Sequence, residues 1–175
     1  MRLVLLSVLL LLGACAQLET QVPQDVEFDL SGRLAVRSGS EAFSGNLAWR
    51  HAASGDELLI TSSLGAGVAR LVRTGGTIVL TTAEPREYRG ADAEALTEEV
   101  LGFRLPVAGL TDWVRGRPTE GPRATAKHDE EGQLRLLHQA GWTIEYLEYE
   151  GKRPSRMRLT YPGIELRLAI SQWKK

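Results

Sequence analysis

Apolar and polar residues alternate with a period of two over much of the chain. Phe28, Leu30, Gly32, Leu34 and Val36 alternate with Asp29, Ser31, Arg33 and Arg37, which predicts a strand with one buried face. Phe43, Gly45, Leu47 and Trp49 repeat the pattern after a Ser38-Gly39-Ser40 turn. Glu57–Thr61, Val68–Val72 and Thr77–Thr82 then follow, separated by short turns. Near the carboxyl end the same period marks Gln133–Gln139, Trp142–Tyr149, Arg156–Tyr161 and Ile164–Ile170. Consecutive strands joined by short turns imply an antiparallel meander.

The middle of the chain changes period. Asp92 is placed to cap a helix through Ala95, Leu96, Glu99 and Val100 that stops at Gly102. Leu105-Pro106-Val107 leads into a second helical stretch, with Leu110, Trp113 and Val114 at helical spacing before Gly116. The fold class is therefore mainly β with a helical insert. A few short helices do not cover a sheet of about ten strands, so the sheet is expected to curl on itself. The alternation fits an apolar cavity and a filled core equally well.

The amino terminus reads as an address. Met1-Arg2 precedes LVLLSVLLLL, an apolar run of 10 residues. That is far short of the ~20 residues a membrane-spanning helix needs, and it fits the core of a signal peptide. The run ends in Leu12-Gly13-Ala14-Cys15, which resembles the bacterial lipobox. That pattern implies a signal peptide over 1–14 and Cys15 as the lipidated first residue of the mature chain. Ala16, rather than an aspartate, follows the cysteine and points to the outer membrane. An ordinary signal peptide with Cys15 incidental is the alternative. Residues 15–25 are polar and aperiodic, a tether to a domain expected over 26–175.

Composition narrows the function by exclusion. The chain has 175 residues, with 21 Lys+Arg against 22 Asp+Glu, and no basic excess of the kind that marks a nucleic-acid binder. One cysteine excludes an internal disulfide and a cysteine-ligated metal cluster. His51, His128 and His138 have no metal-ligand spacing, and His51 and His128 fall in polar, turn-like stretches expected to face solvent. No nucleophile elbow or phosphate-binding loop is present, and Ser62-Ser63 has no nearby base. No enzyme, cofactor or metal is expected.

Two features remain. Trp49, Trp113, Trp142 and Trp173 are four of 11 aromatic residues, suited either to a core or to the wall of a lipid-sized cavity. Leu64 stands in a turn-like Ser62-Ser-Leu-Gly-Ala-Gly67 run, where water is the ordinary neighbour. Either it folds back on the sheet edge, or it is an exposed apolar probe for a membrane or acyl chain.

Ordered stretches along the chain resemble the LolB family of outer-membrane lipoprotein receptors. They are Gly32-Arg33, Phe43-Ser-Gly-Asn-Leu-Ala-Trp49, Ser63-Leu64-Gly65 and Leu101-Gly-Phe-Arg-Leu-Pro106. They continue with Leu110-Thr-Asp-Trp113-Val-Arg-Gly116-Arg-Pro118, Gln139-Ala-Gly-Trp142-Thr-Ile-Glu-Tyr146 and Leu166–Trp173. The resemblance implies an open half-barrel of about eleven antiparallel strands around an apolar cavity, with helices as a lid. It implies acylated lipoprotein cargo, a LolA-type periplasmic carrier as partner, the inner leaflet of the outer membrane as destination, and a monomer. It assigns Leu64 to the membrane-insertion loop; Ser63 stands where enteric relatives carry a proline. On that fold Phe28, Leu30, Leu47, Trp49, Leu110, Trp113, Trp142, Ile144, Tyr146, Leu166 and Leu168 are the candidate acyl-chain lining. A lipidated carrier for lipopolysaccharide or phospholipid, and a scaffold lipoprotein with a filled core, are the competing functions.

Overall fold

The computed structural model describes residues 25–174. The expected signal peptide over 1–14, Cys15 and nearly all of the expected tether over 15–25 lie outside the described residues. Eleven strands form one sheet: β1 (Val26–Ser38), β2 (Glu41–Ala52), β3 (Gly55–Ser62), β4 (Gly67–Thr74), β5 (Thr77–Thr82), β6 (Glu87–Gly90), β7 (Ala124–His128), β8 (Leu134–Gln139), β9 (Trp142–Glu150), β10 (Arg153–Tyr161) and β11 (Ile164–Lys174). The spatial order is β6-β5-β4-β3-β2-β1-β11-β10-β9-β8-β7, and every neighbouring pair is antiparallel. The sheet thus consists of two meanders joined where the first strand pairs with the last.

Nine of these strands follow the alternation directly. The short β6 and β7 do not show it: β7 is exposed at all five residues, so no apolar face reveals it. Both are edge strands, and the segment between them holds α1 (Ala93–Leu101) and α2 (Val107–Trp113). The chain leaves one edge of the sheet at Gly90 and rejoins the other edge at Ala124. It can make that passage only by crossing a face of the sheet, and it crosses the apolar one. Leu96, Phe103, Leu105, Val107, Leu110, Trp113 and Val114 from the insert join the same buried cluster as the inward residues of the strands.

Local chemistry sets the helix ends. The Asp92 carboxylate accepts from the backbone N–H groups of Glu94 (2.8 Å) and Ala95 (3.2 Å), satisfying donors that the first turn leaves open. Gly102 ends α1 at φ 77°, a left-handed conformation that glycine adopts without strain. At the seam, the register between β1 and β11 skips Ser171, a bulge beside Gly32.

Candidate functional site

The inward faces of the strands and the insert close on each other. All eleven candidate lining residues, from Phe28 to Leu168, are buried in this interior. Their rings pack in contact pairs: Phe28 meets Trp49 edge-on at 5.0 Å, and Trp142 lies 6.5 Å from Trp113 and 5.1 Å from Tyr161. The concave face is therefore filled by the chain's own side chains, many of them from the helical insert.

The filling is incomplete at the rim. A cavity of about 120 Å³ opens among Val36, Phe43, Ile60, Val68, Leu101 and Phe103, with Ser38, Glu41, Ala42 and Gly102 completing it. Phe43 and Phe103 form stacked walls 6.5 Å apart, one from β2 and one from the turn after α1. An engineered apolar cavity of about 150 Å³ accommodates benzene, so this opening admits the end of an acyl chain and little more. The resemblance motifs contained Phe43, Leu101 and Phe103, but the sequence reading did not place them at an opening. Their only signal in the sequence is an apolar Leu101 and Phe103 straddling a helix-ending glycine.

Leu64 stands beside this opening. It lies in the connection between β3 and β4, whose flanking residues Ile60 and Val68 line the cavity, and it is 97% exposed. It does not fold back on the sheet. The turn that carries it is pinned: Ser62 N–H donates to the Ala66 carbonyl (2.8 Å), and Gly65 N–H to the Ser62 carbonyl (2.9 Å). The Ser63 hydroxyl donates to the Ser44 carbonyl (3.4 Å), and Asn46 Nδ2 donates to the Ser62 carbonyl (3.2 Å). Bonds to the adjacent strand thus hold the turn that carries Leu64.

At the other end of the strands lies a polar cluster that the sequence reading missed. His51 is buried in β2, not solvent-facing in a turn as expected, and its Nδ1 is 2.6 Å from Asp56 Oδ1. Trp49 Nε1 donates to the same oxygen (3.0 Å), and Arg73 Nε donates to Oδ2 (2.6 Å). Burial pushes the Asp56 carboxyl up, but the bonds from His51, Trp49 and Arg73 outweigh it and hold the carboxyl below its ordinary range. The reason for the miss is spacing: His51 and Asp56 flank a tight turn, and cross-strand pairing of β2 with β3 sets them opposite each other.

Gln139 does similar work for the insert. Its Oε1 accepts from Trp113 Nε1 (2.9 Å) and from the Thr119 N–H (2.9 Å), while Nε2 donates to the Thr119 and Pro122 carbonyls (2.7 and 2.9 Å). One buried amide thereby ties α2 and the following loop to β8. By contrast, among the described residues Trp142 Nε1 and the Tyr146 hydroxyl are buried with no hydrogen-bond partner. Burial pushes the Tyr146 phenol far above its ordinary value, so it stays neutral. Among the described residues no cluster of His, Cys, Asp or Glu is arranged to hold a metal, and no helix is long and apolar enough to cross a membrane.

Residues 26–173 match the family described as outer membrane lipoprotein LolB. This chain belongs to the LolB family. It is 36% identical over 170 residues to the outer-membrane lipoprotein LolB of Thiobacillus denitrificans, covering 93% of this chain and 91% of that one. It is also 36% identical over 193 residues to the LolB of Nitrosomonas europaea, covering 97% and 90%. Among solved structures, a LolA-superfamily protein of Nitrosomonas europaea superposes with a TM-score of 0.53 at 11% identity, over 87% of each chain. A DUF1329-family protein of Desulfovibrio piger gives 0.55 at 9% identity, over 86% of this chain and 85% of that one. These two likenesses concern the fold alone, which in this chain is one open antiparallel sheet with a short helical insert. Family membership makes the chain an outer-membrane lipoprotein of the transport machinery and not an enzyme.

Proposed function

We propose that this chain receives acylated lipoproteins from a LolA-type periplasmic carrier and releases them into the inner leaflet of the outer membrane. It works from that membrane's periplasmic face, held there as a monomer through a lipidated Cys15. The observation that carries this reading is a fully exposed leucine on a pinned turn beside an apolar opening. A leucine left in water forfeits about 1.5–3 kcal/mol of burial, which the fold could recover by turning it inward. Leu64 instead stays available to an apolar partner.

The filled interior suits a carrier that must also let go. An acyl chain entering at the Phe43–Phe103 walls displaces side chains of the insert and exchanges one apolar neighbour for another. Binding is then moderate and indifferent to the protein part of the cargo. Transfer without nucleotide requires only a downhill series of affinities from carrier to receptor to bilayer. No bond is made or broken.

Leu64→Glu tests the proposal. The side chain is almost fully exposed, so stability stays within about 0.5 kcal/mol of the parent. Handover from the carrier should be unchanged, while release into vesicles slows by about tenfold or more, matching the lost burial with an added charge to desolvate. Equal release by variant and parent excludes Leu64 as the inserting residue.

A further inference from the structure

The end of the sheet where the chain from Cys15 enters has its own cleft, of about 320 Å³, lined by Val26, Glu27, Phe28, Arg115, Arg153, Trp173 and Lys174. Three of its seven residues are basic and one is acidic. Arg115 is already engaged: it pairs with Glu27 at 2.7 Å, donates to the Thr111 carbonyl at 2.8 Å and lies 5.6 Å from the centre of the Phe28 ring. Arg153 differs. Its guanidinium sits 5.0 Å over the Trp173 ring, and among the described residues it makes no ion pair. Lys174 lies beside it, exposed.

We propose that this cleft binds the headgroup of an anionic phospholipid in the membrane that carries the anchor. Stacking on Trp173 holds the guanidinium in place without consuming its N–H donors, which leaves a planar fork for phosphate oxygens. Lys174 adds a second cation, and a half-buried tryptophan beside basic groups is the side-chain pair that settles at a membrane surface. Position supplies the occupant. Val26 forms one wall of the cleft, and only 10 residues separate it from Cys15, so the anchor holds this surface within reach of lipid headgroups. Each basic side chain at an anionic surface strengthens attachment about fivefold.

The proposal rests on the anchored-receptor reading for the placement of the cleft. Its test needs neither cargo nor carrier, so failure here leaves lipoprotein transfer standing, and failed transfer leaves this result standing. Trp49, Trp113 and Trp142 are at most 1% exposed, which makes Trp173 the tryptophan that a soluble quencher reaches. The full lipoprotein is reconstituted in vesicles of phosphatidylethanolamine, alone or with phosphatidylglycerol, and acrylamide quenching is read. Phosphatidylglycerol should protect Trp173, and the double variant Arg153→Gln, Lys174→Gln should lose that protection, its attachment weakened about 25-fold. High salt should mimic the variant. Equal quenching in both vesicles overturns the proposal, as does protection that survives the double variant. Protection of Trp173 by soluble glycerol phosphate over phosphatidylethanolamine alone makes a free phosphate the ligand and also overturns it. Protection that appears only when the carrier is added makes the cleft a protein-docking face instead.

Discussion

Asp56 shows how one side chain fixes several others. Its carboxylate collects Trp49, His51 and Arg73 from β2 and β4, and its own side chain is only 2% exposed. Removing the charge leaves Arg73 and the Trp49 N–H facing a poorer acceptor inside the fold, and breaking a buried pair in this way costs about 3 kcal/mol. Asp56→Asn should therefore lower the urea midpoint at pH 7. The pH dependence has a definite sign. A carboxyl held below its ordinary value stabilises fully above that value, 3.8, and the contribution is lost as pH falls through the depressed folded value. The parent should lose stability steeply below pH ~4, while Asp56→Asn should lose less over the same span. Parallel acid limbs for the two proteins would show that Asp56 is not held as described.

At the scale of elements, the two-residue period was enough to find the strands whose inner face is buried, and the helical period was enough to find the insert. It failed where burial fails. β7 has no buried face, and β6 is four residues long, so neither leaves a pattern to read. The site divides in the same way. Trp49, Trp113, Trp142 and Leu64 stand out in the sequence as large apolar residues. The sequence leaves open whether the tryptophans fill a core or line a cavity and whether Leu64 folds back; the fold buries the three tryptophans and exposes Leu64. The Asp56 cluster and the Gln139 clamp were not legible, because they depend on pairings across strands that only the fold creates. The seam between β1 and β11 is another such dependence. A Cβ on Gly32 would collide with the Ala169 carbonyl oxygen in the facing strand. Gly32→Ala should cost about 2–3 kcal/mol through forced backbone shifts. Because this seam joins the two meanders, the loss should appear as a lower unfolding temperature with the transition still cooperative. An unchanged melting temperature would mean that the bulge at Ser171 absorbs the methyl group.

For the whole molecule, the decisive fact is that Leu64 and the start of the domain lie at opposite ends of the strands. β1 runs from Val26 towards the end of the sheet where the β3–β4 turn projects, and its 13 residues cover about 40 Å. The 11 residues from Cys15 to Asp25 reach at most about 36–40 Å when fully extended. With Cys15 as the proposed anchor, a domain standing with Leu64 towards the anchoring bilayer would stretch this segment to its limit. A domain lying lengthwise would not: the proposed headgroup cleft would rest near the proposed anchor, and Leu64 would meet the same leaflet farther along. The two geometries respond oppositely to a shorter connection. Removing residues 17–21 leaves six residues with a reach of about 20 Å, too little for the standing arrangement and ample for the lying one. With a single population of vesicles carrying both anchor and acceptor leaflet, lipoprotein release by the shortened chain should stay within about twofold of the parent, against a near-complete loss if the domain must stand. Loss of release with handover from the carrier intact would show that the domain works upright, and that the cleft and Leu64 engage the membrane at different times.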